Sequence, residues 1–324
     1  MNHEDKKDMP TRPSIRIAAP ATVANLVCGF DILGLALNDP CDLMELSLSK
    51  EPGLRITHED GFGLPTEPAA NVAGASLLAL MEETDGTMGF DLKVTKRIMP
   101  GSGLGSSAAS AAGAVFAANR LLGNPFGPME LIRFAMNGEK LASGVKHADN
   151  ITPCLMGGVT LIRSIHPLDI VPLDAPPLHV SVAHPQIEVR TSDARQILRE
   201  EVQLKKAIRQ WGNIGGLVAG FLKGDYDLIA RSLEDVIIEP VRSILIPGFE
   251  AVKRRCMEAG ALGGGISGSG PSMFMLNRDE ATACRVERIM QETYAELGIE
   301  CLTYVTTVNR EGVKVLAHET GTGQ

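Results

Sequence analysis

No apolar run in this 324-residue chain reaches 18 residues, so the sequence offers no membrane span. The opening stretch MNHEDKKDMPTRP is polar and charged and lacks the apolar centre of a signal peptide. Residues 1–13 are expected to form a disordered tail. An excess of positive charge is missing as well. The net charge is −8, which disfavours nucleic acid and anionic membrane as main partners, though a local basic pocket for phosphates is compatible with it. The six cysteines (28, 41, 154, 256, 284 and 301) form no CxxC pair. They read as free thiols of a reducing, cytoplasmic setting, neither a disulfide frame nor a zinc site. There is no HExxH and no GxSxG, so zinc catalysis and serine hydrolysis have little support. What is present is the balance of an ordinary soluble globular protein, 44% hydrophobic and 22% charged, long enough for two domains or one large one.

The stretch around which the chain is organised is PGSGLGSSAASAA, Pro100 to Ala112. It follows a strand-like run, FDLKVTKRIM, and leads into an alanine-rich helix. Gly101, Gly103 and Gly105 allow a tight turn and a close approach of a ligand to the main chain. Ser106 and Ser107 stand where an N-cap belongs. A helix start offers unpaired N–H groups and a positive dipole end, which favour phosphate. No Lys follows Gly105 until Lys140, so this is no Walker A loop. Ser106 replaces the third Rossmann glycine, and no acidic residue occurs from Ser106 to Met129.

Taken in order, Ser14–Ala19 alternates like a strand. PATVANLVCGFDILGLAL then interrupts an apolar segment with Asn25 and Asp31, which reads as a loop presenting an amide and a carboxylate. Residues 43–49 and 54–57 read as strands, and 71–83 as a helix that Asn71 caps. Residues 128–143 read as a helix with Leu131, Phe134, Ala135 and Leu141 towards a core. Glu139 near its end opposes the helix dipole and wants solvent or a cation. His147, Asp149 and Asn150 cluster in a loop that reaches Pro153. Four prolines between His166 and Leu178 mark the boundary between halves. In the second half Thr191 or Ser192 caps a helix, and GALGGGISGSGPSMFML reads as a Gly-rich turn, a second anion loop, before a strand from Met273. The whole is an α+β pattern with a cleft between two halves, suited to phosphoryl transfer.

PGSGLGSSAAS resembles the phosphate loop of the GHMP small-molecule kinases. PATVANLVCGFDILGLAL is similar to the first motif of homoserine kinases, and GGGISGSGPSMFML looks like their third motif. GEKLASGVKHADNITPCLMGG, TSDAR and EPVR follow in the right order, so the resemblance spans about Ile15 to Val315. It implies a two-domain fold: a ribosomal-S5-like N-terminal domain, residues 14–170, and a ferredoxin-like C-terminal domain, 171–324, with the active site between them. It further implies ATP and Mg²⁺, γ-phosphoryl transfer to the side-chain hydroxyl of L-homoserine, and a homodimer.

By motif position, Pro100, Gly101, Ser102, Gly103, Leu104, Gly105, Ser106, Ser107 and Ala108 cradle phosphates, with Asn71 and Lys96 near the nucleotide. Ser107 (or Ser106) and Glu139 hold Mg²⁺; Asn25, Asp31, His147, Asn150, Thr191, Arg195 and Arg242 surround the amino acid, with Asn150, Arg195 and Glu139 catalytic. These roles suit a zwitterion: an arginine fork matches its carboxylate, and Asp31 its ammonium. Asn150 stands where the mevalonate-type branch has an Asp base, and Asp149, one residue away, is expected to point elsewhere. Catalysis by positioning and Mg²⁺, without a dedicated base, is the expectation. Val27-Cys28 replaces the common Gly-Pro, and Cys28 beside the site is expected to make the protein thiol-sensitive. The alternatives are another kinase of the superfamily, acting on mevalonate, a sugar or shikimate, or a non-catalytic binding protein with this fold.

Overall fold

The computed structural model describes residues 12–84 and 88–319. Most of the expected disordered tail, residues 1–11, lies outside them. The described residues form eleven strands and ten α-helices. In order they are β1 (Ser14–Ala24), β2 (Leu33–Ser49), β3 (Gly53–His58), α1 (Val72–Met81), β4 (Gly89–Thr95), α2 (Ser106–Leu121), α3 (Pro128–Ser143) and α4 (Ile151–Met156). Next come β5 (Val159–Ile165), β6 (Leu168–Leu173), β7 (His179–Pro185), α5 (Thr191–Gln196), α6 (Leu204–Lys223), α7 (Tyr226–Ser232) and α8 (Glu239–Arg242). The chain closes with α9 (Phe249–Glu258), β8 (Gly263–Ile266), β9 (Met273–Asn277), α10 (Glu280–Glu296), β10 (Cys301–Thr307) and β11 (Lys314–Glu319). No helix among the described residues is long and apolar enough to cross a membrane.

The first sheet runs β11-β1-β2-β4-β3, with β5 paired to β2 and β6 to β5. Its register aligns Ile17 with Met44 and Ile15 with Leu46, and these with Val94 and Leu92, so one face is a continuous apolar surface. Helix α2 covers it. Its alanines are there because the approach is close: a Cβ on Gly113 would come within 2.8 Å of Met44 Sδ and 3.1 Å of Ile17 Cδ1. Helices α1 and α3 pack beside α2. Leu131, Phe134 and Ala135 of α3 are buried as expected, whereas Leu141 is 45% exposed because α3 leaves the core near its C-terminus.

The second sheet, β10-β7-β9-β8, is antiparallel throughout, with α9 and α10 against it through Phe249, Val252, Val286 and Met290. This is the expected ferredoxin-like layer. The boundary differs from the proline-based reading. β6 runs across residues 170/171 to pair with β5, and β11 returns to pair with β1, so the C-terminal strand belongs to the first sheet. Prolines are tolerated there because β6 is an edge strand. The segment GGGI, read as part of a turn, is strand β8: hydrogen bonding to β9 overrides the local glycine signal.

Candidate active site

A cavity of about 360 Å³ opens between the start of α2 and the second-sheet half. Pro100, Gly101, Gly103, Gly105, Ser106 and Ser107 line it. Gly105 is the helix N-cap in left-handed conformation (φ 68°), so Ser106 and Ser107 are the first helical residues, not caps. Ser106 Oγ donates to the Ile98 carbonyl (2.9 Å), and Ser107 Oγ donates to Glu139 Oε2 (2.9 Å). Ser102, Leu104 and Ala108 are buried and do not face the cavity. The first two shape the loop: Leu104 N–H donates to Ser102 Oγ (3.3 Å), and the Leu104 carbonyl accepts from Thr22 N–H (3.1 Å). The second Gly-rich segment reaches the same cavity through Gly268 and Ser269. It braces the first one, with Ser267 Oγ donating to the Gly103 carbonyl (2.7 Å) and Ser272 N–H to that of Ser102 (3.1 Å).

Lys96 lines the cavity, with its ammonium already engaged. It is buried against the Asp42 carboxylate, the Ser106 carbonyl (2.8 Å) and Ser110 Oγ (3.0 Å). A buried ammonium must be paired, and these partners fix it beneath the first turn of α2. Burial lowers its pKa and Asp42 opposes that shift. Asn71 caps α1, its Oδ1 accepting from Gly74 N–H at 3.1 Å, and also lines the cavity. Glu139 turns away from solvent towards Ser107; burial raises its pKa, and the Ser107 hydrogen bond partly offsets this.

The opposite wall carries the charged cluster. Between β1 and β2 the chain is left-handed at Asn25 (φ 72°), Leu26 (41°), Val27 (66°) and Asp31 (61°). A β-branched residue there is strained, and such strain persists only where surroundings enforce it. Asn25 does so: Oδ1 accepts from Asp31 N–H (3.0 Å) and Nδ2 donates to the Gly268 carbonyl (2.9 Å). Arg195 on α5 donates to both Asp31 oxygens at 3.1 Å and lies 2.9 Å from His147 Nε2. Guanidinium can only donate, so this nitrogen accepts and His147 is neutral. Burial lowers its pKa, Asp31 opposing and Arg195 adding to the shift. Arg242 donates to the carbonyls of Ala194 (2.8 Å) and Gly268 (3.2 Å). Burial pushes its pKa down to about 10, still protonated at neutral pH. Thr191 is the first residue of α5, whose N-cap position is Arg190, and its Oγ1 lies 3.2 Å from Ser269 Oγ. The side chain of Ser192 lies outside the described residues.

The loop expected after His147 turns into α4 at Ile151, with Asn150 at the N-cap position, its Oδ1 accepting from Thr22 Oγ1 at 2.7 Å. Asp149 faces the cavity after all, fully buried, its carboxyl pushed up to about 7 by burial and by the charges of Asp31 and Glu139. Cys28 is 1% exposed and burial pushes its thiol up to about 12, so the expected thiol sensitivity has no basis there. Sequence reasoning also missed Phe30, whose ring lies 4.8 Å from the Arg242 guanidinium and 5.6 Å from that of Arg195. Its signal was its place beside Asp31. Thr22 and Asp42 gave none, because their partners are distant in sequence.

The sequence matches the family models "GHMP kinases N terminal domain" over residues 71–158 and "GHMP kinases C terminal" over 217–296. It is 46% identical to a homoserine kinase of Chloroherpeton thalassium, covering 92% of this chain and 98% of that one. With a homoserine kinase of Methanocella arvoryzae it shares 37% identity, over 94% of this chain and 97% of the other. A crystal structure of homoserine kinase from Cytophaga hutchinsonii superposes with a TM-score of 0.90 at 46% identity, covering 98% of this chain and all of that one. An L. major mevalonate kinase, at 16% identity and a TM-score of 0.71, shares the fold. With both family models matched in order and relatives aligned over nearly its full length, the chain belongs to the homoserine kinase family of the GHMP kinases.

Proposed function

We infer that this protein transfers the γ-phosphoryl group of ATP to the side-chain hydroxyl of L-homoserine, giving O-phospho-L-homoserine and ADP, a step of threonine biosynthesis. The observation that carries the reading is one cavity holding both an anion-binding helix start and a set of opposite charges fitted to a zwitterion.

The main-chain N–H groups of the phosphate loop and of the first turn of α2 take the triphosphate. Ser107 and Glu139 are the oxygens that would hold Mg²⁺. They fit it: a largely buried carboxylate beside a hydroxyl, with no cation within ion-pair distance among the described residues, suits an ion that keeps its remaining positions for phosphate and water. When bound, that ion neutralises charge on the phosphoryl group in flight.

Arg195 and Arg242, aligned on the Phe30 ring, grip the α-carboxylate. Arg195 then leaves Asp31, whose carboxylate takes the α-ammonium, with the Asp149 carboxyl lining the same cavity. A zwitterion inserts between the paired charges and leaves neither uncompensated. Mevalonate or a sugar, lacking the ammonium, would strand Asp31. His147 stays neutral as an acceptor for Arg195, Asn25 holds the strained turn, and Thr191 with Ser269 closes the rim. Asn150, fixed by Thr22, orients the reacting hydroxyl. An amide takes up no proton, so catalysis rests on positioning, without a dedicated base. Lys96 supports the loop from beneath. The homodimer and the cytoplasmic setting belong to the same reading, the latter because all six cysteines are free; light scattering on the purified protein tests the dimer.

The direct test is ³¹P NMR of the protein with Mg-ATP and L-homoserine. A phosphomonoester resonance coupled to the side-chain methylene is expected. ATP left intact, or hydrolysed to free phosphate alone, would overturn the reading.

A further inference from the structure

Asn150 breaks a local rule. It occupies the N-cap position of α4, where an amide oxygen ordinarily accepts from the first turn of its own helix, yet its side chain makes no such bond. Oδ1 accepts instead from Thr22 Oγ1 on β1, at 2.7 Å. Thr22 is fully buried, and its hydroxyl makes no other hydrogen bond among the described residues. That sets the direction of the pair. Were the amide turned over, Nδ2 would donate to Oγ1 and the hydroxyl hydrogen would be buried without an acceptor, which costs more than an idle lone pair.

The pair lies against the residue that caps α2. A Cβ on Gly105 would come within 1.9 Å of Thr22 Oγ1 and 3.0 Å of Asn150 Oδ1. Thr22 N–H donates to the Leu104 carbonyl (3.1 Å), so the group that holds Asn150 is itself anchored to the phosphate loop. Asn150 lines the cavity together with Gly105, Ser106 and Ser107. Its Oδ1 is turned to β1. Its Nδ2 has no partner among the described residues and is not sealed in the interior, so both amide hydrogens are open to the cavity.

We propose that Thr22 is a positioning residue for the transfer: by holding Asn150 Oδ1 it turns the Nδ2 hydrogens to the reacting centre, where they meet the alcohol oxygen and a γ-phosphoryl oxygen. The inference rests on this cavity being the kinase's site. The donated hydrogen bond occupies one lone pair of the alcohol oxygen and leaves the other for phosphorus. As the O–P bond forms, the bond from the γ-phosphorus to the bridging oxygen breaks, its electron pair leaves on ADP, and the hydroxyl proton passes to an oxygen of the transferred group. An amide turned the other way would draw that proton away from the phosphate.

The experiment is a double-mutant cycle on kcat and KM with Mg-ATP and L-homoserine. It compares the native protein, Thr22→Val, Asn150→Ala and the double variant, with Thr22→Ser as the conservative control. Thr22→Val keeps the volume and loses the donor; kcat is expected to fall about tenfold, with both KM values within about threefold. Thr22→Ser, which keeps the hydroxyl, should hold kcat within about threefold. In the Asn150→Ala background Thr22→Val should cost less than about twofold further, because no amide is left to hold. A Thr22 that only packed the core would cost the same factor in both backgrounds. A tenfold loss in both, or an unchanged kcat in folded Thr22→Val, overturns the proposal and leaves the kinase reading intact. If Thr22→Val does not fold, Thr22→Cys, a weak donor of similar size, takes its place in the cycle with the same expectation and the same refutation. No turnover by the native protein would overturn the kinase reading and the proposal together.

Discussion

Asp149 carries a carboxyl with no cation in ion-pair distance among the described residues, and its pKa is pushed from 3.8 up to about 7. The folded chain therefore holds a proton that the unfolded chain has lost between about pH 4 and 7. Stability is full below the lower value and falls as pH rises through the upper one. Asp149→Asn should thus be more stable than the native protein at pH 8, by on the order of 4 kcal/mol, and equal to it near pH 4. Thermal melts at the two pH values check this. Above pH 7, where Asp149 is ionised, Asp149→Asn should also raise the KM for L-homoserine, because the ammonium loses a counter-charge; loss of all turnover with the fold intact would instead make Asp149 the base. Cys28 illustrates the same desolvation on a thiol. With its pKa near 12 and 1% exposure it should stay unlabelled by iodoacetamide while exposed Cys284 reacts, and activity should persist. Mass spectrometry of the labelled protein, assayed in parallel, decides.

At the scale of elements, the phosphate loop is held from two sides. Gly103 has φ 82°, and a Cβ there would come within 2.5 Å of the Ser267 carbonyl and 2.6 Å of that of Gly270. Gly101 has φ 76° but open space around it. Gly103→Ala should abolish nucleotide binding or folding, whereas Gly101→Ala should cost only the backbone strain, about 1–2 kcal/mol. Calorimetry with ADP on both variants separates crowding from strain. Lys96→Met leaves Asp42 buried without its counter-ion and should destabilise by about 3–5 kcal/mol, measured by urea unfolding. The loop, α2 and α3 were legible because glycine spacing, small residues and helical periodicity are local signals. Strand β8 was not, because GGGI has the composition of a turn and becomes a strand only through pairing with β9. Of the site, the charged residues and loop glycines were readable. The inward direction of Asp149 was not, since it depends on where α4 begins, nor was the burial of Lys96, which needs Asp42 from a neighbouring strand.

For the whole molecule, the organising contact is the turn between β8 and β9. Ser267 holds the phosphate loop, the Gly268 carbonyl accepts from both Asn25 and Arg242, and Ser269 meets Thr191. One segment of the second-sheet half thereby holds the Gly-rich loop wall and the charged wall of the cavity together. The return of β11 to β1 ties the halves together again. Proline content marked where the chain turns but could not reveal that return, which is a pairing across about 300 residues. The central claim is that these two walls together select a zwitterionic alcohol. Its most direct test is ADP release with Mg-ATP against L-homoserine, D-homoserine, L-serine, mevalonate, shikimate and galactose. The account predicts saturable turnover confined to L-homoserine; comparable turnover with mevalonate, shikimate or galactose, or none with any alcohol while ATP binds, would contradict it.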